Sequence, residues 1–465
     1  MRHIVLKRMN EPVSFVNAIY DMVTQTYHIL QIYQIYLFPT VGKYLFRRYD
    51  LLALRKKHSF LSAMIQCISV NKKQCFIFFI LIHVAHGLSF IPGKSPVQIM
   101  YDSSQTLHRC IEYHPEQPER INVCVERLQK YQQEHADSNF EVLDVSPRKD
   151  HKHNQVLAED ELMEAREMLA KVHSEEFVSS VETKCRSSRQ RRVDEGKPPL
   201  GFIGYIDADT FLTTESYDVF LHATAIWIRA VKNVLSSQSL PATTAASSKV
   251  SSSMALTRPP GHHATQKVAN GFCVFNFAAA AAKYAIDRKL ATRVSILDWD
   301  VHYGQGVADI VKKEENIRYV SLHQCPAFPY QGESLQVDGE YQNVYTVPIM
   351  PGMTWETGYK DTFVDMALPF IYTEKANALS TGGEWVPDLV IVCAGYDALG
   401  VDELASVNLN PSDFGEMTRL IQQRIGGGEK QVGLVLGLEG GYQLKDDEKG
   451  LSAAVLESIK ALSQE

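Results

Sequence analysis

The segment Asp298-Trp299-Asp300-Val301-His302 places two carboxylates and an imidazole close together, directly after an apolar run. Alternate residues of a strand share one face, so Asp298, Asp300 and His302 are expected to point the same way. Burying three such groups is costly unless something compensates them. Carboxylates and imidazole ligate divalent metals, so the pattern predicts a metal site. The alternative is an acidic strand end that caps the next helix, but the dense motif and the two glycines after it favour a metal.

Three further segments place reactive side chains after apolar runs. His262 and His263 sit on a Pro/Gly loop and can present two imidazoles to one pocket, one of them as a general base. Asp397 follows another apolar run and is a candidate third metal ligand. Tyr442 follows a glycine pair that allows close backbone approach, and its phenol can donate a hydrogen bond to an oxyanion. Each signal is weak alone, because paired histidines are commonly surface residues and tyrosines commonly pack in the core.

The elements that must position these residues follow an α/β rhythm from about residue 97. Strands are predicted over 294–297, 317–322, 389–393 and 433–438, and helices over 277–286 and 411–425. Their alternation predicts a mostly parallel, doubly wound sheet, in which sites form at the carboxyl ends of the strands. Residues 185–200, with a basic run, and 236–253, a Ser/Thr/Ala tract, are predicted to be surface loops.

In this order, the motifs resemble the zinc-dependent histone deacetylase family, which includes acetylpolyamine amidohydrolases. Three more segments carry the resemblance: 114–121 (HPEQPERI), 271–273 (GFC) and 321–323 (SLH). It covers roughly residues 97–461 and implies a catalytic domain over 97–465. The implied fold is an arginase-like three-layer α/β sandwich with a mostly parallel central sheet. The implied reaction is hydrolysis of an acetyl or other acyl amide, foremost N-ε-acetyl-lysine in a histone or another protein.

The resemblance also implies roles for individual residues. One Zn²⁺ would be held by Asp300, His302 and Asp397, although this ligand set alone would also accept iron(II) or cobalt. The remaining implied roles are general base (His263), its partner (His262, held by Asp298), oxyanion donor (Tyr442), substrate channel (Gly271, Phe272, Phe328), structural K⁺ loop (Asp298, Ser321, Leu322) and acetate exit path (Arg120).

Two positions depart from the family pattern. Tyr303 stands where the family often has a second histidine. Gln305 stands where the first deacetylase class has an aspartate beside the catalytic base, and this points to the second class with its plant and bacterial relatives. A neutral amide stabilises an imidazolium less than a carboxylate does, so it leaves His263 more readily neutral.

Three other functions compete with a protein deacetylase. An arginase-like ureohydrolase needs a second metal, but the position two after His302 is Gly304, which offers no ligand. An acetylpolyamine amidohydrolase needs an acidic group at the channel mouth, for which Asp207, Asp209 and Glu333 are candidates. An inactive acyl-lysine-binding scaffold would have lost a ligand, the base or the tyrosine, and all of these are present.

Composition excludes several broad classes. The 465 residues include 47 basic and 54 acidic side chains, so the formal charge is 47 − 54 = −7, and 45% are hydrophobic. This is an ordinary globular mixture, which argues against a disordered chain and against direct nucleic-acid binding. The eight cysteines form no C-x-x-C pair, so a cysteine zinc cluster is not expected, and Cys273 and Cys393 are predicted to be packing thiols.

The first 95 residues differ from the rest. The apolar run 75–85 follows Lys72 and Lys73, is too short to span a bilayer, and suits the core of a signal peptide. We therefore expect residues 1–63 to be an over-extended start and 64–95 a targeting peptide, with removal after residue 89. Phe90 after such a site resembles the bipartite plastid signals of algae with secondary plastids. The alternatives are a buried element at the domain edge and a cytoplasmic or nuclear protein.

Overall fold

The computed structural model describes residues 96–147, 156–238, 252–374, 383–428, 430–445 and 448–463. The expected start (1–63) and the whole of the expected targeting peptide (64–95) therefore lie outside the described residues, as do residues 239–251 of the loop predicted over 236–253. Within the described ranges, no helix combines the length and the apolar character that crossing a bilayer requires.

A nine-stranded sheet forms the centre of the domain. The strands of the fold are β1 (Val97–Tyr101), β2 (Phe140–Asp144), β3 (Phe202–Tyr205), β4 (Phe211–Thr213), β5 (Ser252–Ala255), β6 (Val294–Asp298), β7 (Ile317–Gln324), β8 (Gln336–Asp338), β9 (Val344–Ile349), β10 (Leu389–Ala394) and β11 (Gly433–Leu438). The large sheet has the order β2-β1-β5-β11-β10-β6-β7-β9-β8, and β3 and β4 form a separate antiparallel pair. Its neighbouring strands are parallel except β8 and β9, which confirms the predicted mostly parallel sheet.

Helices cover both faces of this sheet and complete three layers. They are α1 (Glu119–Glu134), α2 (Glu159–Val172), α3 (Glu175–Asp194), α4 (Ser216–Gln238), α5 (Phe277–Asp287), α6 (Gln305–Val311), α7 (the helical segments Trp355–Tyr359, Lys360–Thr362, Phe363–Ala367 and Leu368–Ile371), α8 (Pro411–Gly426) and α9 (Leu451–Ser463), with a 3₁₀ turn at Ser103–Leu107. One buried cluster joins the sheet to α2–α6 and a second joins it to α1 and α7–α9.

Strand β10 shows why the strands could be predicted. All six of its residues are buried. Ile391 and Cys393 belong to one core cluster, whereas Val390 and Val392 belong to the other. A parallel strand that is covered on both faces is apolar at nearly every position, so it stands out in the sequence as a short continuous apolar run.

The predicted loop over 185–200 is wrong for its first ten residues, because helix α3 continues to Asp194. Ser174 caps this helix by accepting a hydrogen bond from the Phe177 amide, and Val178, Val181 and Cys185 form its buried face. The basic run lies on the solvent face, where arginine is a good helix former. The charges thus mark an exposed helix face rather than a loop.

The parallel strands bring four loops to one edge of the sheet. Strands β5, β11, β10 and β6 are consecutive neighbours. Ala255 pairs with Gly437, Gly437 with Cys393, and Cys393 with Asp298, so these residues form one row across the sheet. The loop after each strand therefore starts at nearly the same height. These four loops carry the four motifs that the sequence singled out.

Candidate active site

Three predicted metal ligands converge beyond β6 and β10. The alternation argument assumed that the strand continues through Asp300 and His302. Strand β6 instead ends at Asp298, so both residues lie in the turn that follows it. Nδ1 of His302 lies 3.3 Å from Asp300 Oδ1 and 3.0 Å from Asp397 Oδ2. One ligand atom from each of the three residues lies within 4.8 Å of the others.

Backbone groups hold both carboxylates in place. The Val301 amide donates to Asp397 Oδ1 (2.9 Å), and the Gly440 amide donates to Asp300 Oδ2 (2.7 Å). A Cβ at Gly440 would lie 2.2 Å from Asp397 Oδ2, and one at Gly395 would lie 2.0 Å from Asp300 Oδ2. Glycine is therefore required at both positions for the chain to close around the carboxylates.

The buried charge of this cluster fits a divalent cation. Burial and Asp300 raise the pKa of Asp397. Burial opposes a charge on His302 also, yet Asp397 and Asp300 raise its pKa well above the usual value. The two carboxylates favour a protonated imidazole even though burial opposes it, so this cluster is stabilised by positive charge. A divalent cation between the three side chains would provide that charge. Two carboxylates and one imidazole form a suitable donor set for zinc and for other borderline divalent metals.

His262 lies behind the cluster of Asp300, His302 and Asp397, where carboxylates favour its protonated form. Its Nδ1 lies 3.0 Å from Asp298 Oδ2, which also accepts a hydrogen bond of 2.8 Å from the Tyr319 hydroxyl. Burial would lower the pKa of His262, but Asp300 and Asp298 outweigh burial and raise it to about 10. This imidazole therefore acts as a fixed positive charge rather than as a group that exchanges protons near neutral pH.

His263 is the neutral member of the pair. Its Nδ1 donates to Gln305 Oε1 (2.7 Å), while Gln305 Nε2 donates back to the His263 carbonyl (3.3 Å). This orientation leaves the lone pair on Nε2. Burial, together with the positive charges of His262 and His302, holds the pKa of His263 well below its usual value. The site thus contains two adjacent imidazoles, tilted by 40° with ring centroids 4.0 Å apart, whose surroundings favour opposite protonation states.

Two aromatic side chains wall the approach to this pair. The Phe328 ring lies edge-on to His263, with centroids 5.0 Å apart, and the Phe272 ring lies edge-on to Tyr442 at 5.6 Å. Gly271 has a positive φ of 51°, and a Cβ there would meet both His263 Cδ2 and Phe328 Cε1 at 2.7 Å. The predicted channel residues are therefore brought together, and Gly271 lets the wall approach the histidine.

Three buried charged side chains, Arg120, Glu116 and Arg258, pair with one another, and Arg120 contacts the Tyr442 segment. The Arg120 guanidinium lies 4.7 Å from the Tyr442 ring centroid, and it donates to the carbonyls of Gly441 (2.8 Å) and Glu439. Glu116 joins Arg120 to Arg258, from which it accepts two hydrogen bonds. Burial raises the pKa of the Tyr442 phenol well above its usual value, so the phenol keeps its proton.

The remaining predicted residues lie around this centre or away from it. Ser321 pairs with Asp298 in the sheet register, and Leu322 follows it in β7. The Tyr303 ring packs against His323 in a tilted arrangement, with centroids 4.6 Å apart. The Asp207 carboxylate accepts hydrogen bonds from the Asp209 and Thr210 amides, and the Thr210 hydroxyl accepts one from the Phe272 amide (3.0 Å). This places the two aspartates close to the channel wall, whereas no contact with the channel is shown for Glu333.

The two cysteines near the centre are packing residues, as predicted. Cys273 and Cys393 are fully buried, and burial raises the pKa of both thiols well above the usual value. A protonated, buried thiol is a poor nucleophile near neutral pH. Cys110 and Cys325, in contrast, are half-buried.

Sequence reasoning missed several residues that organise the site. Glu439 accepts hydrogen bonds from the Gly261 and His262 amides (2.6 and 3.1 Å), and so ties the histidine loop to the segment after β11. Asp402 accepts one from the Tyr442 amide (2.6 Å). Both residues lie in glycine-containing segments that follow apolar runs, Leu-Glu-Gly-Gly and Gly-Val-Asp-Glu. Their hydrogen-bond partners are remote in sequence, so no local pattern indicated these contacts.

The carboxylate–imidazole cluster, a neutral histidine and two flanking aromatic rings at the carboxyl edge of a parallel sheet are suited to metal-dependent amide hydrolysis. Residues 114–458 match the histone deacetylase domain. The chain therefore belongs to the histone deacetylase family, which the sequence motifs had indicated.

Individual relatives agree with this membership. A chloroplastic histone deacetylase 10 of Oryza sativa is 28% identical over 368 residues, which cover 78% of this chain and 72% of the relative. An uncharacterised protein of Synechocystis is 38% identical over 259 residues, 56% of this chain and 74% of the relative. The crystal structure of the HDA15 HD domain superimposes with a TM-score of 0.61 at 26% identity, covering 80% of this chain and 89% of that one.

The glycine contact at the metal ligands gives a direct prediction. Gly440→Ala places a methyl group against both carboxylates, so we expect the purified variant to lose most of its bound divalent metal. Metal per chain, measured by elemental analysis, checks this. Gly426→Ala, at a helical position with open space around it, is the matched control and should keep full metal content. Full metal content in Gly440→Ala would contradict the assigned ligand cluster.

Proposed function

We propose that this protein is a zinc-dependent deacylase that hydrolyses an acyl amide, foremost N-ε-acetyl-lysine in a histone or another protein. The observation that carries the proposal is the neutral His263, whose free Nε2 lies in the same buried centre as Asp300, His302 and Asp397. These last three residues would hold the Zn²⁺. When bound, the ion supplies a Lewis acid that acidifies water and polarises an amide carbonyl.

The histidine pair divides the proton chemistry. His263 Nε2 takes the proton from the attacking water, because its partner Gln305 fixes the proton already present on Nδ1. The same nitrogen then gives the proton to the leaving amine. His262 stays charged against Asp298 and stabilises the negative charge that develops beside it. The roles differ because the carboxylates face one imidazole and the amide faces the other.

Tyr442 supplies the second stabilising group. Its protonated phenol donates a hydrogen bond to the oxyanion of the tetrahedral intermediate, and its ring packs against Phe272 at the channel wall. Phe272 and Phe328 would line the apolar methylene stem of the substrate and exclude water from it. We further propose that Arg120 borders an acetate exit path, and that the backbone near Asp298, Ser321 and Leu322 holds a structural K⁺.

An acetylpolyamine is the second candidate substrate. The Asp207 and Asp209 loop contacts the channel wall through Thr210, which would place negative charge where a distal ammonium group could be recognised. The Asp207 carboxylate already accepts hydrogen bonds from the amides of Asp209 and Thr210, so it is less suited to bind a substrate ammonium group. This favours the protein substrate.

A parallel assay of an acetyl-lysine peptide and acetylspermidine tests the function. We expect turnover of the peptide to exceed that of the polyamine, and acetate to be released. His263→Ala should abolish turnover while keeping the metal, and Tyr442→Phe should lower kcat about 10²–10³-fold, as loss of one oxyanion donor does. Failure of the wild-type protein, fully loaded with zinc, to release acetate from either substrate would refute the proposal.

The neutral partner of the general base gives a pH prediction. In Gln305→Glu, a carboxylate replaces the amide and raises the pKa of His263, which the wild-type site holds low. The base must be neutral to act, so activity is lost as pH falls through its pKa. The acidic limb of the kcat/KM profile should therefore move to higher pH in the variant. An unchanged limb would contradict the role of His263 as base.

We propose that residues 64–95 direct the protein to a plastid. The name of the rice relative describes that protein as chloroplastic, which supports this location. The expected result is a mature N-terminus near residue 90, found by N-terminal sequencing of the protein from its native cells. A mature chain that still begins within residues 1–63 would overturn the assignment.

A further inference from the structure

The loop after β10 carries a second carboxylate beyond the metal ligand Asp397. Asp402 lies five positions further along this loop, is 5% exposed, and turns its side chain toward the segment after β11. Its Oδ2 accepts hydrogen bonds from the amides of Tyr442 (2.6 Å) and Gln443 (3.2 Å), and its Oδ1 accepts one from the Leu404 amide (3.1 Å). Three backbone donors thus converge on one buried carboxylate.

We propose that Asp402 is a positioning residue for Tyr442, whose carboxylate fixes the backbone that aims the phenol at the reacting carbonyl. This inference rests on the function proposed above. Asp402 does not touch the metal ligands through any described hydrogen bond, so its action on the chemistry passes through the tyrosine segment. A charged acceptor is suited to this task because it binds amide groups more strongly than a neutral oxygen does.

The geometry of the Tyr442 segment explains why it needs an anchor. Gly441 has a φ of 113°, a conformation that side chains rarely adopt, and a Cβ there would lie 2.8 Å from Leu451 Cδ1. The chain turns sharply at this glycine, so its direction afterwards depends on contacts beyond it. Asp402 provides them at the amides of residues 442 and 443, and Gln443 Nε2 adds a bond to the Val401 carbonyl (3.1 Å).

The two sides of the tyrosine are therefore held differently. Arg120 contacts the ring face and the carbonyl of Gly441, which precedes the tyrosine. Asp402 holds the amide of the tyrosine itself. Loss of Asp402 frees the backbone on the far side of the turn while the ring keeps its contact with Arg120. The expected consequence is a misdirected phenol in a folded protein rather than a collapsed site.

Asp402→Asn tests this inference, because it keeps the shape but removes the negative charge and replaces one of the two acceptor oxygens with an NH₂ group. At about pH 8, above the pKa of about 6 that burial and Asp397 give Asp402, kcat should fall about 10–10²-fold, as for a group displaced by about 1 Å. KM and zinc content should stay near wild type. Asp402→Ala, which removes both acceptor oxygens, should lose at least as much.

A double-mutant cycle with Tyr442→Phe separates positioning from general damage. If Asp402 acts through the phenol, Asp402→Asn should lower kcat less than about twofold in the Tyr442→Phe background. Asp413→Asn is the matched control, since Asp413 is also a buried carboxylate that accepts a backbone hydrogen bond, from Asn410 (2.7 Å), at the start of α8. This control should leave kcat unchanged.

Several results would overturn the inference. These are an unchanged kcat in Asp402→Asn, independent losses that multiply in the double variant, a loss of zinc, or failure of both Asp402 variants to fold while Asp413→Asn folds. The proposed function is judged separately by the wild-type protein. If the wild type and Tyr442→Phe behave as proposed, any of these results would refute the positioning role of Asp402 and would leave the proposed function unaffected.

Discussion

The excess of negative charge buried at the carboxyl edge of the sheet explains the histidines and backbone amides that surround it. Asp298, Asp300 and Asp397 are all fully buried, and they converge from two neighbouring strands. Water does not screen such charges, so the protein must supply positive charge within a few ångströms. A divalent cation held by Asp300, His302 and Asp397 would meet that demand together with a protonated His262, and backbone amides from Val301 and Gly440 donate to two of the carboxylates.

The same field produces opposite behaviour in two adjacent histidines. His262 faces Asp298 and Asp300, which raise its pKa. The ring of His263 lies 4.0 Å away and faces an amide, and the positive charges of His262 and His302 act with burial to lower its pKa. The proposed general base is thus kept neutral partly by its own neighbour. Two identical side chains, one position apart, acquire different functions because their hydrogen-bond partners differ in charge.

The sequence revealed the strands and the motifs at their ends because both are local patterns. The six apolar residues of β10 and the closely spaced Asp298, Asp300 and His302 can each be recognised without knowledge of the fold. Partnerships over long distances could not be recognised in this way: Arg258 and Glu116 are 142 positions apart. The error over 185–194 has a different cause: a charged helix face and a charged loop have similar composition, and of these ten residues Cys185 alone is buried, so the segment carries little helical apolar pattern.

The segment after β11 connects the acid–base and oxyanion groups into one unit. Glu439 bonds to the amides of Gly261 and His262, the Gly440 amide bonds to Asp300, and Tyr442 follows two residues later. Arg120 holds the carbonyls of Glu439 and Gly441 from the first turn of α1. Any shift of this segment would therefore displace the histidine loop, a metal ligand and the phenol together. Because errors in position cost rate steeply, a shared support that preserves the relative placement of these groups is more effective than separate supports for each.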